Sequence, residues 1–189
     1  TYYFTTDSIF TGNKKGIYTI GNEQDKPFVF VLSENKFPKP SKVKELIDPI
    51  IYIASDDERK ALKNAKKPKK KLDDFWLDLG QDKEFARTLI RRYYKKVELA
   101  NQFFTCHKEG WKTDMGMIYI IFGIPDEIFR SDTKETWNYK KKPNLPAVRF
   151  IFTRKRNTFG SYYFELINNP EYANIWYTAV DLWRKGMIE

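Results

Sequence analysis

Residues 83–106 read KEFARTLIRRYYKKVELANQFFTC, and their apolar period decides the fold. Ala86, Ile90, Tyr93, Val97, Ala100 and Phe104 recur at steps of 4, 3, 4, 3 and 4, which stacks them along one side of an α-helix. Phe85, Leu89 and Phe103 widen the stripe, while Arg87, Arg91, Lys95 and Glu98 lie mostly off it. At 1.5 Å per residue the helix reaches about 36 Å, long enough to be the spine of a domain.

Upstream, the period changes. Gly16-Ile17-Tyr18-Thr19-Ile20 and Phe28-Val29-Phe30-Val31-Leu32 have strand composition and are separated by Gly21-Asn22 and Asp25-Lys26-Pro27, so residues 1–40 are predicted to be a β-rich segment, the end of an upstream domain. Phe37-Pro38-Lys39-Pro40 closes it, because each proline removes a donor and restricts the residue before it. Ser41 is placed to cap a short helix over Val43 to Ile47, Pro49 interrupts it, and Ser55-Asp56-Asp57-Glu58 opens a second helix with acids in its first turn. The KNAKKPKKK run at 63–71 reads as an exposed basic linker.

Downstream, Asp114 to Gly123 is ambiguous. Its centre has strand composition, but Asp114 in front and Gly123 and Pro125 behind are helix punctuation, which favours a short helix. Residues 135–139, 148–153 and 161–167 read as three strands of an antiparallel meander. Asn169 and Pro170 start a last helix with Tyr172, Trp176, Ala179 and Trp183 on one face and Gly186 at its end. The expected fold is α+β: an antiparallel sheet from 135–167 covered by the long helix and the C-terminal helix, with 41–189 as the main domain.

Composition excludes several classes. Of 189 residues, 41% are hydrophobic and 17% aromatic, enough for a packed core without a staple. One cysteine, Cys106, rules out an intramolecular disulfide framework and a cysteine-based structural zinc site. No apolar run reaches the roughly 18 residues that span a bilayer, and Thr1-Tyr2-Tyr3-Phe4 lacks the order of a signal peptide. Thirty-four Lys and Arg against 25 Asp and Glu leave a net charge of +9, which permits anionic partners.

No catalytic residue, metal ligand set or cofactor emerges from the motifs. Cys106-His107 are neighbours whose side chains diverge by about 100° if helical, so neither is expected to serve the other. Asp73, Asp74, Asp78, Asp82 and Glu84 suit surface and capping positions, and no phosphate-binding glycine loop or nucleophile elbow occurs. Lys66 to Lys71, Lys140-Lys141-Lys142 and Arg154-Lys155-Arg156 would be the contacts of a nucleic-acid-binding alternative; a solvated surface is the preferred reading, since Phe150 and Phe152 share an inward strand face. A hydrolase using Asp114 with Asp126 or Glu127 is a second alternative, requiring those carboxylates to converge.

The most distinctive stretch is Gly110-Trp111-Lys112-Thr113-Asp114, followed by Gly116 and by Gly123-Ile124-Pro125-Asp126-Glu127-Ile128. Gly110 can end the long helix, Trp111 can anchor the loop, and Thr113 or Asp114 can cap the next element, which makes the segment an architectural joint. With Phe75-Trp76, Ala100-Asn101-Gln102-Phe103-Phe104 and Trp137-Asn138-Tyr139 in the same order, the chain resembles the bacterial GWxTD domain family over roughly residues 45–185. It departs from the family pattern at Met115, Met117, Ile121 and Ile124, where family members usually carry basic residues or proline. The resemblance implies a non-catalytic cell-envelope protein, a scaffold or interaction module in the periplasm or at the outer membrane, with another envelope protein as partner. It implies membrane attachment only through an anchor preceding Thr1. The motif residues Gly110, Trp111, Thr113, Asp114, Gly116, Gly123, Pro125, Asp126, Glu127 and Trp137 are its candidate binding positions. The order of elements is also similar to that of small outer-membrane assembly lipoproteins, a fold-level analogy that carries no function.

Overall fold

A computed structural model describes residues 14–20, 28–33, 36–156 and 162–187. The predictions made for 1–13, for the turn at 21–27, for 34–35 and for the strand start at Ser161 lie outside the described residues. The fold is α+β. Strands β1 (Gly16–Ile20) and β2 (Phe28–Leu32) form an antiparallel pair, with Tyr18 stacked on Phe30 at 5.4 Å between ring centres. Among the described residues, six α-helices follow that pair or enclose a second sheet: α1 (Val43–Ile47), α2 (Asp56–Lys63), α3 (Pro68–Gly80), α4 (Lys83–Phe104), α5 (Asp114–Phe122) and α6 (Glu171–Arg184). That sheet is a meander of β3 (Glu127–Arg130), β4 (Lys134–Tyr139), β5 (Val148–Arg156) and β6 (Tyr162–Leu166) in sequential order.

The long helix forms where its period places it. Asp82 caps it, its carboxylate accepting from the backbone N–H groups of Glu84 and Phe85. Ala86, Leu89, Tyr93, Val97 and Ala100 are buried, and Trp76 of α3, tilted, and Trp183 of α6, edge-on, pack around Tyr93, whose hydroxyl donates to the Pro49 carbonyl. Burial of Leu89 or Val97 stabilises the fold by about 1.5–3 kcal/mol each. In α2, Ser55 and Glu58 form a capping box. Glu58 also pairs with Arg184 at 2.9 Å, and Arg184 donates to the Ile53 carbonyl, tying the last helix back to the second. The Arg184 hydrogen bonds hold the Glu58 carboxyl below the ordinary carboxylate range.

Two expectations are corrected. The basic run at 63–71 is not a linker throughout: α3 begins at Pro68, and Lys69 pairs with Asp73 one turn on. Proline is tolerated at the first helical position because its missing N–H would have no intrahelical partner there. The sheet has a fourth strand, β3, whose register pairs Ile128 with Trp137 and Phe129 with Thr136. All four of its residues are exposed, so it shows no inside-outside alternation to read. The long helix meets the sheet at its C-terminal end, where Phe104 packs against Trp137. Along the rest of its length helix α5 lies beside it, packed against α4, α6 and β6. It is buried at Met115, Gly116, Ile118, Tyr119, Ile120, Ile121 and Phe122, and a helix enclosed on all sides has no amphipathic period. Its sequence is ambiguous for that reason.

The inner face of the sheet is built by alternation. Glu135, Trp137 and Tyr139 of β4 and Val148, Phe150 and Phe152 of β5 point inward, and Trp137 stands opposite Phe150 in register. Phe122 of α5 meets Phe150 at 4.9 Å, Phe104 of α4 meets Trp137 at 5.6 Å, and Tyr172 of α6 meets Phe150 at 4.9 Å.

Candidate functional site

The turn between α4 and α5 carries residues 110–114. Gly110 sits where the chain folds back onto α4: a Cβ there would lie 1.9 Å from the Ala100 carbonyl oxygen. Gly116 is constrained in the same way, since its Cβ would lie 1.9 Å from the Gly110 oxygen. Both must therefore be glycine for the helices to approach this closely. Thr113, 4% exposed, closes the turn by donating to the Gly110 carbonyl at 2.7 Å and accepting from the Gly116 N–H at 3.0 Å, which caps α5.

Asp114 reaches across to the sheet. Its carboxylate accepts from the Leu166 backbone N–H at 2.7 Å, joining the first turn of α5 to β6. Trp111 is half-buried; its N–H donates to Asn101 Oδ1 at 3.1 Å and its carbonyl accepts from the Tyr52 hydroxyl at 2.7 Å. The Trp111 and Tyr52 rings meet edge-on at 6.2 Å. Burial, and then the Asp114 carboxylate, push the Tyr52 hydroxyl well above its ordinary range, so it stays a neutral donor. Lys112 pairs with Glu109 at 2.6 Å and lies over the Trp111 ring at 5.3 Å.

Asn101 and Thr105 complete this network from α4. Asn101, 6% exposed, donates to the Pro38 carbonyl at 2.9 Å while accepting from Trp111, and so connects the segment after β2 to the joint. Thr105 donates to the Asn101 carbonyl at 2.6 Å and accepts from the Gly110 N–H at 2.9 Å. Asn101 belongs to the motif run quoted from the sequence, but its role depends on a partner 63 positions away, and Tyr52 lies 59 positions from Trp111. No local spacing signals either contact.

The second half of the motif is a separate structure. Gly123 ends α5 and its carbonyl accepts from Tyr139 at 2.9 Å; the Tyr139 hydroxyl is pushed upward, by burial first. Pro125 leads into β3. Asp126 donates its N–H to the Asn138 carbonyl and accepts from the Lys140 N–H at 2.7 Å, which starts the β3–β4 pairing. Glu127 is exposed and faces Asn138 and Lys140. Asp114 and the Asp126–Glu127 pair therefore lie at opposite ends of the nine-residue α5, about 13 Å of helix apart. The convergence a two-carboxylate hydrolase needs is absent. Trp137 is 2% exposed, its indole N–H donating to Glu135, which in turn accepts from Arg130 at 3.0 Å. It is a core residue with no surface to offer a ligand.

Cys106 and His107 are corrected as well. The chain leaves the helix after Phe104, and in the following turn the thiol approaches His107 Nδ1 at 3.4 Å, with the Tyr163 ring edge-on to the imidazole. Helical divergence does not apply to residues outside the helix. Desolvation, with Lys108 nearby, lowers the imidazole pKa. The basic groups sit on different elements, at the start of α3, after β4 and at the end of β5. Lys140 pairs with Glu127, and Arg154 lies over the Tyr162 ring at 3.9 Å. Among the described residues no three His, Cys, Asp or Glu side chains gather as a metal site, and no helix is long and apolar enough to cross a membrane.

The family model described as GWxTD domain matches residues 16–185, nearly the whole chain and including β1 and β2. No curated protein and no solved structure matches.

Proposed function

The chain belongs to the GWxTD domain family, and from that premise we propose that it is a non-catalytic scaffold or protein-interaction module of the bacterial cell envelope. One observation carries the non-catalytic part: the polar groups of the motif are engaged within the fold. Thr113 serves Gly110 and Gly116, Asp114 serves Leu166, and the Trp111 backbone serves Asn101 and Tyr52. A general base must have a free lone pair aimed at a substrate proton, and a nucleophile needs a base beside it. The motif residues are arranged as a clamp instead, fixing α4, α5, β6 and the segment before α1 to one another.

An interaction role is supported by the surface. Strand β3 is the edge of its sheet, and Ile124, Ile128 and Phe129 around it are 77%, 38% and 59% exposed. An edge strand with apolar side chains suits pairing with an extended segment of another chain. The envelope assignment rests on the family resemblance, and the partner is another envelope protein.

Fractionation of cells producing the native full-length protein, combined with photo-cross-linking from position 129, tests this reading. Recovery with the periplasmic or outer-membrane fraction and a discrete adduct to one envelope protein is the expected outcome. Recovery in the cytosol, or an adduct to nucleic acid in place of an envelope protein, overturns it. Fluorescence anisotropy with single-stranded DNA across a salt series separates the nucleic-acid case, because phosphate contacts weaken as salt rises.

A further inference from the structure

A groove of about 740 Å³ lies between α1, the 3₁₀ turn Asp48–Tyr52, α2 and the first turn of α3. That volume falls within the range of about 300 to 1,000 Å³ common to small-molecule sites. Ile50 and Leu62, 0% and 3% exposed, form the floor, and Ile47 and Ile51 form aliphatic walls, with Ile51 left 45% exposed.

The rim has a different character. Lys44, Arg59, Lys60 and Lys63 line it against two acids, Asp48 and Asp56. Asp56 is engaged by Arg59, and Lys60 is 3.8 Å from Asp57. Lys44 and Lys63 have no acidic partner among the described residues. Pro68, the first residue of α3, lies at the same rim, where the positive end of the helix dipole adds to the field.

An aliphatic trough whose lining carries four basic side chains against two acids is complementary to an alkyl chain bearing one anionic head. We propose that this groove binds a long-chain fatty acid, its chain along Ile47, Ile50, Ile51 and Leu62 and its carboxylate held by Lys44 and Lys63. The inference does not depend on the envelope reading, since it uses neither the motif nor the β3 edge.

Titration of the full chain with cis-parinaric acid, a fluorescent long-chain fatty acid, and with its methyl ester tests the proposal. A saturable fluorescence rise with the acid, and an affinity at least about tenfold weaker for the ester, is expected. The Lys44→Glu/Lys63→Glu double variant should show a similar loss, and Ile51→Glu should abolish the signal; thermal melts establish that both variants fold. Absence of saturable binding, equal affinity for acid and ester, or binding that survives Ile51→Glu overturns it. Sedimentation showing a dimer that Ile51→Glu dissociates, without probe binding, assigns the groove to a second copy and also overturns it. The acid-against-ester comparison needs no variant, so misfolding of either variant leaves the test decisive.

Discussion

The carboxylate of Asp114, in the first turn of α5, accepts the backbone N–H of Leu166 in β6 at 2.7 Å. One side chain thereby satisfies an edge-strand donor and sets the distance between the central helix and the sheet. Replacing Asp114 by Ala leaves that N–H unpaired and is expected to lower unfolding stability by about 1–3 kcal/mol, read from urea midpoints. Asn keeps an acceptor oxygen at the same place, so Asp114→Asn should lose much less. A catalytic role for the carboxylate would make the Asn variant as damaging to function as the Ala variant.

Gly110→Ala is expected to be among the most disruptive single substitutions in the chain. The new methyl would lie 1.9 Å from the Ala100 oxygen, a backbone atom that cannot rotate away. The expected cost is at or above the ~3 kcal/mol upper end of ordinary overpacking, visible as loss of a cooperative thermal transition. Gly16→Ala is the control, because a Cβ there meets only Tyr18 at 3.9 Å.

Thr113→Val preserves shape and removes the hydroxyl shared by Gly110 and Gly116. The Gly116 N–H would then lack its acceptor, while the Gly110 carbonyl keeps the Thr113 N–H at 3.1 Å; a loss of about 1–3 kcal/mol is expected, with Thr113→Ser retaining most of the stability. Hydrogen exchange at the Gly116 amide should accelerate in the Val variant and stay slow in the Ser variant.

Lys96 gives a pH dependence of a definite sign. Desolvation, then Lys142 and Arg92, push its ammonium down to about 8 from an ordinary value of 10.5. Between those values the unfolded chain binds the proton that the folded chain has released, so stability should rise as pH increases from about 8 toward 10. Below about pH 8 both states are protonated and the burial of charge opposes folding. Denaturant melts at pH 7.5 and roughly 9.5 should show this rise in the parent protein and its loss in Lys96→Met. A flat profile in the parent protein would contradict it.

The elements legible in the sequence are those whose cause is local. The α4 stripe, the Ser55–Glu58 capping box, the Thr113 cap and the alternation in β4 and β5 each depend on residues a few positions apart, and each appears where its pattern lies. Trp111, Thr113 and Asp114 could be read as a joint because glycine, threonine and aspartate have distinct preferences at helix ends.

What tertiary structure alone decided involves partners far along the chain. Asn101 finds Pro38, Tyr52 finds Trp111, and Asp114 finds Leu166, at separations of 63, 59 and 52 residues. Helix α5 has no period because it is surrounded, and β3 has none because it is exposed throughout; in both cases only the neighbouring elements distinguish the conformation. The sequence by itself determined that a long amphipathic helix, a glycine-bounded joint and a meander exist. Only the packed structure determined that the joint's polar groups are turned inward, because a hydrogen bond's partner is set by distance in space, and spacing along the chain does not carry that information.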